Sequence, residues 1–256
     1  MRNNKYCSRR EFAKILGGVG LATTTAGCST LSSQASKKPI TASTELSLSP
    51  DSDSMSRRDF EAAMDENREE YGENGIWGLS ANEPDHGLEY VGAWQDSTTG
   101  RRADDTAFTS DHLVVLYRIP ELELDGEQFY RAWLWSGAVP ETSYQLESIR
   151  PSVRLVHDSD DMRRYDPART TSDGPVPVSF ATSARDGPTI EFPLHAGKVE
   201  YSAKQTKVGE AGSYGITWTG EYDSTQGINA TCVMKWPTDR AYDIRWNAEI
   251  KAAPKQ

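Results

Sequence analysis

The chain has 256 residues, with 38 acidic and 28 basic side chains and a formal net charge of −10. That balance argues against a nucleic-acid binder, which needs a basic patch to displace the counterions around phosphates. No run of roughly 20 apolar residues is present, which excludes a multi-pass membrane protein, and the length leaves ample chain for a buried core.

Residues 1–27 read as an export signal. Ser8-Arg9-Arg10-Glu11-Phe12-Ala13-Lys14 precedes the short, glycine-rich apolar run Ile15–Ala22. A charged head followed by a short apolar run describes a leader rather than a spanning helix. The adjacent Arg9 and Arg10, with Phe12 and Lys14 at these offsets, resemble the twin-arginine (Tat) signal, which implies export in the folded state. Thr25-Ala26-Gly27-Cys28 closes the run and resembles a lipobox, with Thr25 where an aliphatic residue is usual. The resemblance implies lipidation of Cys28 and anchoring to the outer face of the cytoplasmic membrane. With Cys7 in the leader and Cys28 in the lipobox, Cys232 stands alone in the mature domain. No disulfide can form within that domain.

Residues 28–54 are dominated by Ser and Thr, with Pro39 and Pro50. Such a stretch has too little apolar surface to offset its ordering entropy, so a disordered tether is expected there. Ser56, with Asp59 three residues on, reads as a helix cap. Phe60, Met64, Asn67 and Tyr71 then share one face of a short helix ending near Gly72.

From there to residue 256 the pattern has period two. Tyr214, Ile216, Trp218 and Tyr222 alternate with Gly215, Thr217, Thr219 and Glu221. Ile228, Ala230, Cys232, Met234 and Trp236 alternate with Asn229, Thr231, Val233 and Lys235. Tyr242, Ile244, Trp246, Ala248 and Ile250 alternate with Asp243, Arg245, Asn247 and Glu249. Asp223–Gly227 and Pro237–Arg240 are turn chemistry, so these three strands are expected to form an antiparallel meander. Residues 112–119, 128–135, 152–157, 176–181, 189–194 and 198–203 read as further strands, while 75–106 is poorly patterned. The expectation for 55–256 is one mainly β, antiparallel β-sandwich-like domain with one short N-terminal helix.

Lysine is absent from Pro39 to Gly197. The leader holds five of the 28 basic residues and one of the 38 acids, leaving 23 against 37, or −14, for the rest. Excess carboxylate with Arg preferred to Lys resembles proteins of salt-loving archaea, whose acidic surfaces keep chains soluble in molar salt. With the leader and lipobox, the chain is similar to haloarchaeal Tat-exported surface lipoproteins. The resemblance is confined to leader, tether and composition, and carries over no active site.

Chemical motifs are sparse. No phosphate loop, nucleophile elbow or paired-histidine zinc motif occurs. His86, His112, His157 and His195 are widely spaced and read as ordinary strand or loop residues rather than metal ligands. Cys232 with Met234 lacks the histidines of a copper centre, and Asp158-Ser159-Asp160-Asp161 lacks the EF-hand order of calcium ligands. No cofactor or metal is therefore assigned. Asn229-Ala230-Thr231 is an N-glycosylation sequon, placed by parity opposite Cys232 and so expected to be exposed. Trp77 and Trp94, in the irregular stretch, are candidate platforms for a sugar or protein ligand. The expected function is a lipid-anchored, non-enzymatic module that binds an envelope protein or glycan. The alternatives are an extracellular hydrolase whose Ser, His and Asp meet only in three dimensions and, more weakly, a metal or redox carrier.

Overall fold

Ile40, Ala42, Leu46 and Leu48 alternate with Thr41, Ser43, Glu45 and Ser47, and in the computed structural model, which describes residues 38–72, 87–180 and 189–255, this run is strand β1 (Ile40–Leu48). It corrects the expected tether. Nine residues of it, Ile40–Leu48, pair with the C-terminal strand of the domain, so no spacer extends beyond Pro39. The aliphatic side chains are few, but all lie on the inward face.

Helix α1 (Arg57–Tyr71) follows the expected pattern. The Ser56 hydroxyl accepts from the Asp59 amide at 3.2 Å and donates to its carboxylate at 2.7 Å, satisfying an otherwise orphaned first-turn donor. Gly72, at φ 78°, ends the helix, its amide donating to the Arg68 carbonyl. Phe60, Ala63, Met64, Asn67 and Tyr71 are the buried face.

The remaining chain is β2 (Glu89–Arg102), β3 (Asp105–Leu124), β4 (Glu127–Pro140), β5 (Tyr144–Leu155), β6 (Asp161–Asp166), β7 (Val176–Ser179), β8 (Thr189–Phe192), β9 (Lys198–Tyr201), β10 (Gly209–Glu210), β11 (Ser213–Tyr222), β12 (Gln226–Pro237) and β13 (Ile244–Pro254). All pairings between these strands are antiparallel. Sheet A has the order β1-β13-β5-β11-β9 and sheet B the order β10-β6-β12-β4-β3-β2; β7 and β8 form a separate hairpin. The two sheets pack face to face over one core, as expected for a sandwich. Trp246, Ile250, Ile149, Tyr214 and Trp218 of sheet A meet Val114, Leu134, Ala230 and Cys232 of sheet B, all essentially inaccessible to water.

The last three strands lie where the sequence places them, but they do not form a meander. β11 and β13 both pair with β5 in sheet A, whereas β12 lies between β4 and β6 in sheet B. The turns at 223–225 and 238–243 therefore change sheets instead of closing hairpins. Turn residues report that the chain reverses, and they do not report which sheet receives the next strand.

The outer face of sheet B is also covered, which removes the expected exposure of alternate β12 residues. Asn229, Thr231, Val233 and Lys235 are all buried. Phe60 of α1 meets Trp133 edge-on at 6.5 Å, and Tyr71 meets Trp135 at 4.9 Å. Gly137 makes room for this docking: a Cβ there would lie 2.8 Å from the Tyr71 ring. The β7–β8 hairpin covers the next part, where its Ser179 carbonyl accepts from Thr231 at 3.1 Å and from Arg131 at 3.3 Å. Burial lowers the Arg131 guanidinium to about 10, an effect increased by the nearby charge of Arg164.

Candidate functional site

Among the described residues no helix or hairpin lies across the outer face of sheet A, in contrast to sheet B. Parity sends Arg245, Asn247, Glu249 and Lys251 of β13 outward, together with Arg150, Ser152 and Arg154 of β5 and Thr217 and Thr219 of β11. A depression of about 630 Å³ lies among Arg150, Thr217, Asn247 and the segment 202–205. It shares Lys204, Gln205 and Asn247 with a second of about 370 Å³, and Arg150 and Thr219 with a third of about 470 Å³. Together they make one polar trough along the sheet.

One wall of the trough is the turn after β9. The Ser202 amide donates to the Gly215 carbonyl at 2.7 Å, and the Gln205 amide donates to the Ser202 carbonyl at 2.9 Å. This close approach needs glycine at 215, because a Cβ there would stand 2.9 Å from the Gln205 Cβ. Gly215→Val is expected to push the wall outward and leave the core intact. Its far-ultraviolet circular dichroism should match that of the parent, while faster trypsin cleavage after Lys204 reports the displaced turn.

Along most of the trough, charges are matched. Arg150 meets Glu249 at 3.0 Å, Lys198 meets Glu200 at 3.0 Å and Lys251 meets Glu147 at 2.6 Å. All are partly exposed, so each adds little to stability. One end is different: it gathers Arg154, Arg245 and Lys204 against the single carboxylate of Glu45. The trough offers amides, hydroxyls and charges, with no histidine or cysteine among its lining residues. That inventory suits hydrogen bonding to a polar ligand.

A Ser–His contact does exist elsewhere. His112 of β3 places Nδ1 3.1 Å from the Ser136 hydroxyl, and Nε2 3.2 Å from Ser110 and 3.4 Å from Thr98. Asp96 is near enough to act on its charge, but its carboxylate is bonded to Thr44 and to the Ser97 amide. The imidazole is wholly inaccessible, between the sheets and 6.1 Å from the Trp246 ring. Burial lowers it to about 4, against the opposing pull of Asp111 and Asp96. A neutral imidazole held by hydroxyls on both nitrogens links β2, β3 and β4 within sheet B and is sealed from solvent against Trp246 of sheet A.

The other residues singled out in the sequence are dispersed. Trp94 is 4% exposed, its indole donating to the Ser52 hydroxyl at 3.0 Å and meeting Tyr242 edge-on. This corrects its reading as a platform, because the ring fills the edge of the core. Asn229 is 2% exposed, and its carbonyl accepts from the Trp133 indole at 2.9 Å beneath the outer cover of sheet B. The expectation of an exposed sugar is corrected too: the folded strand has no room for one.

The Asp158–Asp161 stretch is no open calcium loop. Asp160 is buried against Arg240, and Asp161 faces Arg163 at 3.0 Å and Lys235 at 3.8 Å. Burial pushes the Cys232 thiol up to about 12, while His157 faces Asp243 and His195 stacks on Tyr222. Among the described residues no group of three or more His, Cys, Asp or Glu is placed to hold a metal ion. Cys28, Arg9, Arg10, Trp77 and His86 lie outside the described residues.

The trough itself was missed in the sequence, although its outward residues are the polar halves of the alternating runs. No protein-family model and no curated protein matches the chain.

Proposed function

We propose that the protein is a lipid-anchored surface module that binds an envelope ligand through the outer face of sheet A. In this reading the Arg9-Arg10 signal sends the folded chain through the Tat route. A lipid on Cys28 then holds it at the outer face of the cytoplasmic membrane, and the carboxylate-rich surface keeps it soluble in concentrated salt. The observation that carries the reading is the contrast between the two sheets. Sheet B is covered on its outer face by α1 and β7–β8, whereas sheet A presents a continuous polar trough. An open trough lined by amides, hydroxyls and paired charges supports the binding of a polar ligand.

Two measurements test it. Cys28→Ser should release the protein from washed membranes into the medium; full retention of the variant would contradict the anchor. Chemical cross-linking on intact cells, followed by affinity recovery, should yield a reproducible envelope component at near-equal amount. Recovery of the protein alone, together with labelling by broad hydrolase probes, would favour the enzyme reading instead.

A further inference from the structure

We infer that the end of the trough bounded by Arg154, Arg245 and Lys204 recognises the acidic groups of an anionic polysaccharide. The inference rests on the outer face of sheet A being the binding face, and adds the chemistry of the ligand. Its starting point is the strand register. Arg154 of β5 and Arg245 of β13 are direct cross-strand partners and both point outward, so two cationic side chains leave the sheet from opposed positions, with the Arg245 guanidinium reaching towards Ser47 of β1. Like charges directly opposite in an antiparallel pair are destabilising.

The one carboxylate lining this end, among the described residues, is Glu45. Among the described residues neither Arg154 nor Lys204 has an ion-pair partner, and the Arg245 guanidinium donates to the neutral Ser47 hydroxyl. Every other cation of the trough is paired. Three cations face one acid, Glu45, in a chain whose net charge is −10. An unneutralised positive cluster on so acidic a protein is most simply completed by a bound anion.

The form of the cluster narrows the anion. A planar guanidinium matches the two oxygens of a carboxylate or sulfate in bidentate fashion, and this end of the trough carries two of them. Such contacts matter more than long-range attraction in concentrated salt, where the Debye length is only about 3 Å at 1 M. Beside them lie Asn247, Gln205, Ser152 and Ser213, which offer donors and acceptors for hydroxyl groups. Among the described residues lining the trough the one aromatic side chain is Tyr201, 36% exposed. A single aromatic face set among polar groups suits a sugar ring, whereas a protein interface of appreciable affinity centres on a desolvated apolar cluster. Polar continuity with the two neighbouring depressions fits a chain of sugars rather than one small anion.

The test is titration calorimetry on the full-length chain carrying Cys28→Ser. The probes are oligogalacturonate, a sulfated dextran oligomer, neutral maltohexaose and oligo-aspartate. Oligogalacturonate or the sulfated oligomer should bind, and the two distinguish carboxylate from sulfate as the source of charge. Arg154→Gln and Arg245→Gln should each weaken binding roughly tenfold or more, with a Tm no lower than the parent's because a repulsion is removed. Arg57→Gln, on the exposed side of α1, should leave the affinity unchanged.

Equal binding of maltohexaose, insensitive to both arginine variants, would overturn the anion site while leaving the trough as a glycan-binding face. Binding of oligo-aspartate alone would overturn the polysaccharide in favour of an acidic protein. Failure of all four probes would overturn the inference, while the cellular cross-linking decides the binding reading separately.

Discussion

Tyr71→Ala is expected to destabilise the domain by about 3–5 kcal/mol, the range for removing a large buried aromatic side chain. The ring lies edge-on to Trp135 at 4.9 Å and fills the space above Gly137. Its hydroxyl donates to the Asp111 carboxylate at 2.9 Å. Asp111 is itself buried, with the Ser97 hydroxyl on its other oxygen, so truncation opens a cavity and also takes one donor from a buried charge. Tyr71→Phe separates the two effects: it keeps the ring and should cost about 1–3 kcal/mol for the lost donor alone. Urea unfolding of the two variants measures both. A loss below about 1 kcal/mol for Tyr71→Ala would mean that α1 does not seal sheet B as described.

The second large effect is acid sensitivity. An unfolded histidine titrates near 6.5, whereas burial lowers His112 to about 4. Between those values the unfolded chain binds a proton that the folded one refuses. Stability contributed by the neutral imidazole is therefore complete above pH 6.5 and lost as the pH falls towards 4. The gap corresponds to roughly 3 kcal/mol. His112→Gln can still hydrogen-bond Ser136 and Ser110 but cannot titrate. It should be less stable than the parent at pH 7, and its stability should change less between pH 6.5 and 4.5. Equal slopes for both proteins would show that His112 is not the group responsible.

Local chemistry made the helix readable. Ser56 and Asp59 fix its start, Gly72 its end, and the Phe60–Met64–Asn67–Tyr71 stripe its buried face, all within one turn or two of sequence. β11, β12 and β13 were readable for the same reason, since alternation is a property of neighbours. Their pairing was not, because Asp223–Thr225 serves a sheet-changing turn as well as a hairpin. β2 escaped notice because Asp96 and Thr98 face inward, towards the hydroxyl cluster around His112. A polar interior erases the alternation on which a strand is recognised. β1 was hidden by its Ser and Thr residues, which are an outward face and not a tether.

Tryptophans illustrate the limit for sites. Trp94 stood in an irregular stretch, which suggested exposure, but burial depends on a strand partner and on Tyr242, far away in the chain. Asn229 had the right parity to be exposed and became buried because α1 and β7–β8 cover that face. The trough was visible only as solvent-facing polarity. The opposition of Arg154 to Arg245 is a fact of register between strands distant in sequence, and neither strand alone contains it.

The most direct test of the binding face is site-specific photo-cross-linking on intact cells. A benzophenone amino acid would be placed at Ser152, in the trough, and separately at Glu69, on the exposed side of α1. Adducts of reproducible mass from position 152, with none from position 69, are the predicted result. Adducts from position 69 alone, or none from position 152, would contradict the assignment of the outer face of sheet A as the surface that binds.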